Sequence, residues 1–253
     1  MMLMRFLRKL HKWLGLIVGL QVLLWTISGL IFAWLDHHEV SAEHSVRTPD
    51  PAVLTPSISL VEAESWSSEL ASGEILEIRL TALLDHWVWR IETRSGITLR
   101  SAISGEPLRL TEDLVSKLAQ RQYVGSGRLA SVAFHPASTM EIRGSGATWA
   151  ARFDDGRGTT LYYSADDGRL VEARNDTWRL FDFFWMLHTM DYAGRDNFNN
   201  PLVITVGFAT LWLALSGALL LLRSFRRQDF AFLLGWRRTT AFNSRSEAGN
   251  SLD

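Results

Sequence analysis

Cysteine is absent from the 253 residues of this sequence. This excludes disulfide bonds, thiolate metal sites and cysteine nucleophiles, while leaving the compartment open, because many exported proteins have no disulfides. The sequence also lacks the H-E-x-x-H, G-x-S-x-G and Walker A motifs, so it contains no self-contained catalytic motif. The net charge is only −1. A nearly neutral chain has no overall positive field, which argues against nucleic acid as a partner.

Charge is missing altogether from two stretches of 22 residues, Trp13 to Trp34 and Pro201 to Leu222. As helices they would be about 33 Å long, at about 1.5 Å per residue, which is enough to cross a hydrocarbon core of about 30 Å. No A-x-A cleavage site follows the first stretch, so we predict an uncleaved anchor rather than a signal peptide. The lipid bilayer is therefore the first expected partner.

Basic residues flank these two stretches on one side only. Residues 1–12 contain four arginines and lysines and no acid, and a second basic cluster begins at Arg223. By the positive-inside rule, both termini are predicted to be cytoplasmic and the intervening segment lies across the membrane. The pair Gly15 and Gly19 forms a G-x-x-x-G face at the inner end of the first helix, where another helix can approach closely. The approaching helix is either that of a second copy, in a homodimer, or the second helix of the same chain, packed antiparallel through Ala214 and Ala218.

The segment between the two helices contains an internal repeat. Three residues, Trp87, Arg90 and Gly96, recur 62 positions later as Trp149, Arg152 and Gly158. Alternating patterns predict strands at 74–80, 86–93, 97–103, 129–134 and 140–143, and leucine spacing predicts helices at 60–70 and 110–118. Two similar lobes packed on each other are the expected result of such a duplication.

The predicted fold class is α+β, with two transmembrane helices bracketing an extracytoplasmic domain of two helix-plus-antiparallel-sheet repeats. The boundaries are as follows: cytoplasmic N-terminus 1–12, transmembrane helix 13–35, linker 36–56, repeats 57–109 and 110–176, interfacial aromatic segment and loop 177–200, transmembrane helix 201–222 and cytoplasmic tail 223–253. The aromatic segment is too short and too polar at its ends to span, so we expect it to lie at the outer interface.

Several motifs together resemble the PepSY domain-containing bacterial membrane proteins of the PepSY-associated transmembrane family. The run from Arg8 to Leu16, R-K-L-H-K-W-L-G-L, is similar to the family's opening. The turns Ser101 to Glu106 and Ser164 to Arg169 are similar to the end of a PepSY unit, and Leu187-His188-Thr189 resembles the segment before the last helix. The resemblance implies the bacterial inner membrane as location, with the domain in the periplasm.

The resemblance also implies two functions. Some members resemble haem-bearing reductases of ferric siderophores, which implies a membrane-anchored accessory to electron transfer or to metal or siderophore reduction, with a redox partner protein. Those relatives have more membrane helices than the two found here. Other PepSY units occur in protease propeptides. The alternative is thus a non-catalytic periplasmic module that binds a peptidase or another protein through its sheet edges.

Four histidines are candidate ligands for haem b or a transition metal: His11, His37, His38 and His188. The cytoplasmic end of the second helix has no histidine, so His11 would need a ligand from a second copy, a partner protein or a residue of another type. At the outer end, His188 could approach His37 or His38 if the aromatic segment folds back, with carboxylates such as Glu39 completing a metal site. Interfacial histidines that bind nothing fit the same pattern.

Overall fold

The computed structural model describes residues 2–48 and 75–224. The helix predicted at 60–70, the end of the linker and the tail beyond residue 224 lie outside these residues. The helices are α1 (Met2–Trp34), α2 (His37–Val40), a 3-10 turn (Glu43–Ser45), α3 (Glu112–Gln122), α4 (Asp176–Thr189) and α5 (Pro201–Ser224). The strands are β1 (Ile75–Leu83), β2 (His86–Thr93), β3 (Gly96–Ser101), β4 (Pro107–Leu108), β5 (Arg128–His135), β6 (Thr148–Asp154), β7 (Thr160–Ser164) and β8 (Leu170–Arg174).

The helices α1 and α5 are long and apolar enough to cross a membrane, as judged by length and composition. Large apolar side chains such as Leu16, Ile17 and Phe208 remain exposed along them. Exposed apolar rows of this extent are unfavourable in water but are the normal surface of a helix in lipid. The two helices therefore match the two spans predicted from the uncharged stretches.

The described residues form two compact units, 2–22 with 204–224 and 23–48 with 75–203. In the first unit α1 and α5 are antiparallel, because residues later in α1 contact residues earlier in α5. His11 contacts Ser216, and a Cβ on Gly15 would lie 3.8 Å from Leu213. Gly15 thus faces a helix of its own chain, whereas a Cβ on Gly19 would have nothing within 4 Å.

The second unit contains two four-stranded antiparallel sheets, each with its strands in chain order, β1 to β4 and β5 to β8. Each sheet also has an irregular register near the start of its first strand. These matching features confirm the α+β class and the duplication that the 62-residue repeat predicted. The short connections are those of a meander, in which each strand pairs with its neighbour along the chain.

Helix α3 and residues of both sheets share one hydrophobic core. The helix begins at Thr111, whose hydroxyl accepts the N–H of Leu114, and two acidic residues in its first turn suit the helix dipole. The core includes Val115 and Ala119 of α3, side chains from both sheets, and a stacked Tyr123–Phe153 pair. Burial of this kind is worth about 25 cal/mol per Å² of apolar surface, which makes it the main force joining the repeats.

The strand predicted at 140–143 is wrong, because residues 136–147 form turns between β5 and β6. Ile142 is buried, its carbonyl accepts a hydrogen bond from the Ser138 hydroxyl, and its N–H bonds to Thr139. Local hydrogen bonds of this kind satisfy the backbone within the loop, so the apolar alternation there reflects one buried side chain rather than a strand.

An ion pair joins the two sheets across the repeat boundary. Arg90 of β2 donates from Nε to the Asp167 carboxylate at 3.1 Å, and only 5% of the Asp167 side chain is exposed. Burial alone would raise the pKa of Asp167, but hydrogen bonds from the backbone N–H of Arg169 and from Arg90 outweigh it and hold the pKa below its usual range. Arg90 also donates to Glu92 at 2.9 Å.

Replacing Asp167 with Asn should lower the free energy of unfolding by about 1–3 kcal/mol at pH 7, because Arg90 loses a shielded charged partner. A depressed carboxyl pKa stabilises the fold above the unfolded-state value of about 4, and this stabilisation disappears as the pH falls through the folded-state pKa. Denaturant titration of the full chain in detergent at pH 7 and pH 3 checks both statements.

The control is Asp113→Asn, which removes an exposed pair between Asp113 and Lys117. It should change the unfolding free energy by no more than about 0.5 kcal/mol. Equal effects of the two substitutions, or a D167N effect that grows on acidification, would contradict the assignment.

Candidate functional site

Helix α4 carries His188, and the cap of α4 is fixed to α2, which follows α1 in the chain. Asn175 caps the helix by accepting the N–H of Trp178, and its side-chain amide donates to the carbonyl of Glu39 at 2.8 Å. Phe181, one turn inside the helix, packs on Phe32 of α1 with ring centroids 4.8 Å apart. The helix therefore runs antiparallel to the outer part of α1, and its depth in the bilayer stays a prediction.

The middle of α4 is held by a buried acid between two arginines. Arg143 and Arg195 each donate to Asp182 at 2.6 Å, one to each carboxylate oxygen, and 7% of the Asp182 side chain is exposed. A buried carboxylate is costly unless it is paired, and breaking such a pair typically costs about 3–5 kcal/mol. This cluster fixes α4 to the loop before β6 and to the loop after the helix.

His188 lies at the last turn of α4, against α1. Its Nδ1 is 2.8 Å from the hydroxyl of Ser28, which is fully buried. The indole N–H of Trp25 donates to the backbone carbonyl of His188 at 2.7 Å, and the ring of Phe32 meets the imidazole edge at 5.5 Å. The imidazole is thus held by one hydroxyl within an aromatic surrounding.

The hydroxyl of Ser28 fixes the tautomer of His188. Ser28 donates its single hydrogen to the carbonyl of Leu24 at 2.7 Å, with Trp25 as a second acceptor at 3.1 Å. With that donation the hydroxyl accepts from its further partner, and this assignment places the hydrogen of the His188 imidazole on Nδ1. Its Nε2 then has a free lone pair, and no described residue bonds to it.

His11 has the same arrangement in the first unit. Its Nδ1 is 2.8 Å from the hydroxyl of Ser216, and that hydroxyl donates to the carbonyl of Leu213 at 3.0 Å. The same assignment for His11 places its hydrogen on Nδ1 and leaves a lone pair on Nε2. A Cβ at Gly217 would lie 3.1 Å from the imidazole Cε1, so the glycine gives the ring its space.

A cleft of about 410 Å³ opens beside His11. Apolar side chains and basic groups share its wall, which consists of Arg8, His11, Gly217, Leu220, Leu221, Arg223 and Ser224. This combination suits a ligand with an apolar body and anionic groups, because the leucines can bury carbon surface and the guanidinium groups can bind oxygens.

The outer histidines form an exposed group of their own. The rings of His37 and His44 lie 6.2 and 5.8 Å from that of His38, and the His38 Nδ1 pairs with Glu43 at 3.0 Å. The hydrogen bond to Glu43 raises the pKa of His38. Within residues 2–48 and 75–224, no three His, Asp or Glu side chains are grouped to hold a metal ion.

The structure does not bring His188 to His37 or His38. It lies beside Ser28, six residues or about 9 Å before the end of α1 at Trp34, and His37 follows only after that end. Asp155 and Asp167 serve turns, since each accepts a backbone N–H group within its own loop.

The two serine partners were missed by sequence reasoning, although a signal existed. Leu24-Trp25 before Ser28-Gly29 is echoed by Leu211-Trp212 before Ser216-Gly217. The serine of each of these two motifs is the residue whose hydroxyl contacts an imidazole. The partners lie 160 and 205 residues away along the chain, so no local pattern could connect them.

The sequence profile of the PepSY-associated TM region family matches residues 8–246. The chain belongs to this family. It is therefore a PepSY-associated membrane protein with two candidate spans and two sheet units. Comparisons with curated proteins and with solved structures gave no match.

Replacing Ser28 with Ala should release the tautomer of His188. We expect ¹⁵N-histidine NMR of the full chain in detergent to show His188 protonated on Nδ1, and S28A to shift it to a mixture of both neutral forms. Ser41→Ala is the control, because the Ser41 hydroxyl donates to the backbone of His38. An unchanged His188 signal in S28A would contradict the proposed hydrogen bond.

Proposed function

We propose that this PepSY-associated protein is a membrane-anchored accessory of an electron-transfer system, and that His188 and His11 bind haem b through Nε2. One observation carries the proposal. Each imidazole is held by a serine hydroxyl that has already donated its hydrogen, which leaves Nε2 as a free base. Histidines that bind metals usually donate their other ring N–H to a fixed acceptor, which sets the tautomer and the ring orientation.

The cleft beside His11 suits a haem, and His188 lies among aromatic rings. Near His11 the leucines of the cleft can cover an apolar macrocycle, and Arg8 and Arg223 can bind its two carboxylates. Near His188 the wall is aromatic, from Trp25 and Phe32. A bound haem would supply one-electron transfer, while the protein supplies the axial nitrogen, its orientation and a medium of low polarity.

Each site offers one histidine among the described residues, so any further ligand of a bound haem would come from another molecule. A second copy of the chain or a redox partner protein would serve. The Gly15 and Gly19 face remains the proposed dimer contact, although only Gly19 is open, since Gly15 faces Leu213. We expect the positive-inside orientation in the bacterial inner membrane, with His11 near the cytoplasm and His188 toward the periplasmic side.

The outer histidines are weaker candidates for this role. His37 and His38 are exposed, and the Nδ1 of His38 is engaged by the carboxylate of Glu43 rather than by a buried hydroxyl. The carboxylate of Glu43 orients His38, but neither imidazole is shielded from water. A haem or metal at His37 and His38 would therefore need ligands from another molecule.

Purification in mild detergent with haem supplementation tests the proposal. The wild type should show a Soret band, and His188→Ala and His11→Ala should each remove about half of the bound haem, since each deletes one axial nitrogen. His86→Ala is the matched control, because His86 is exposed at the start of β2 and away from both sites.

The absence of a Soret band from the wild type supplemented with haem would contradict the haem proposal. A complementary test replaces His11, His37, His38 and His188 together. If the quadruple variant is stably inserted and keeps the physiological phenotype, the alternative of a periplasmic protein-binding module, which needs no histidine, is favoured.

A further inference from the structure

A second cleft, of about 360 Å³, lies on the open face of the sheet β5 to β8. Small residues from β5 and β6, Ser131, Ala133 and Ala150, form part of its lining. Because side chains alternate along a strand, these residues face away from the core side occupied by Ala151 and Leu161. The remaining lining residues are polar: His135, Glu141, Arg152, Thr160, Tyr162, Asp176 and Arg179.

One wall of this cleft is a closed network around Arg179. The guanidinium donates to both carboxylate oxygens of Glu141, at 2.8 and 3.1 Å, and to Asp176 at 2.8 Å. The hydroxyl of Tyr162 donates to the same Glu141 at 2.8 Å. Burial, followed by the hydrogen bond to Glu141, raises the pKa of Tyr162 far above its usual value, so it stays a neutral donor. This wall has two acids for one arginine.

The lining of the same cleft includes a second arginine, Arg152, which is not paired within the described residues. Arg152 lies opposite Ser131 of β5 and Thr160 of β7 in the sheet register. No ion pair or hydrogen bond joins its side chain to any residue that the structure describes. The hydroxyl of Ser131 and the ring nitrogens of His135 likewise have no hydrogen-bond partner within residues 2–48 and 75–224.

The internal repeat allows Arg152 to be compared with the arginine at the same position of the first sheet, which has a structural role. Arg90 is the counterpart of Arg152 in the first sheet, 62 residues earlier. Arg90 is neutralised by Glu92 and by the shielded carboxylate of Asp167. In the second sheet the arginine is kept and Asp154 stands where Glu92 does, but among the described residues no ion pair joins Asp154 to Arg152. The guanidinium of Arg152 lines the cleft instead. A retained but unpaired guanidinium beside a cleft is a donor fork available for an oxyanion.

We propose that this cleft binds a small amino or hydroxy carboxylate. Its carboxylate would bind Arg152, whose planar fork matches two carboxylate oxygens, with Ser131 and His135 as further polar contacts. Its amine or hydroxyl would face Glu141 and Asp176. The excess negative charge of that wall disfavours a phosphate dianion, because like charges in a partly shielded cleft repel. The site is independent of the haem proposal.

The test is a titration of full-length, haem-free protein in detergent, followed by amide NMR shifts of β5 and β6. The probes are 4-aminobutyrate, L-glutamine and L-lysine, with 4-aminobutyrate methyl ester as the probe without a carboxylate. We expect saturable binding in the millimolar range for at least one amino acid and none for the ester. Arg152→Gln should weaken binding about tenfold, equivalent to about 1.4 kcal/mol.

The matched control is Arg109→Gln, which removes the same charge from an exposed arginine outside the cleft. It should leave the affinity unchanged. No saturable shift with any of the amino acids up to about 10 mM, which corresponds to less than about 3 kcal/mol of binding free energy, would overturn the proposal. Equal weakening by R109Q, or tighter binding of inorganic phosphate than of the amino acids, would overturn it as well.

Discussion

The hydrogen bond between Ser28 and His188 is the constraint on which the arrangement around α1 depends. His188 is half-buried and Ser28 is fully buried, so leaving the two unpaired would cost part of the roughly 1–3 kcal/mol of an unpaired buried polar group. Ser28 meets this need only because its own hydrogen is bound to the carbonyl of Leu24. One serine thereby orients the ring, selects the tautomer and ties the end of α4 to α1.

Four contacts along α4 connect His188 to the second sheet and to the segment after α1. Its cap bonds to Glu39, Arg179 bonds to Glu141, Asp182 holds two arginines, and His188 meets Ser28. Each is a directional bond, and three of them involve groups that are costly to leave unpaired when shielded from water. A shift of the helix along α1 would break several together. The position of His188 is therefore fixed by the domain as well as by the membrane helix.

Local patterns predicted the elements of this fold well and their partners poorly. The uncharged stretches gave both spans, and the 62-residue repeat gave two sheets of the same order, since hydropathy and strand alternation act within a few neighbouring residues. The strand expected at 140–143 failed because Ile142 is buried by a turn, which alternation cannot distinguish. The serine partners of His11 and His188 depend on contacts between distant segments, so residue spacing could nominate the imidazoles but not what binds them.

The duplication also shows where the two halves have diverged. Both copies of a repeat keep the same strand order because they must bury the same faces. A polar residue of one copy can nevertheless take a new role when the other copy provides its ion-pair partner. Arg90 has become part of the seam between the sheets by pairing with Asp167 of the second repeat. Among the residues that the structure describes, Arg152 has no such partner. The asymmetry leaves the second sheet with the exposed cation beside a cleft.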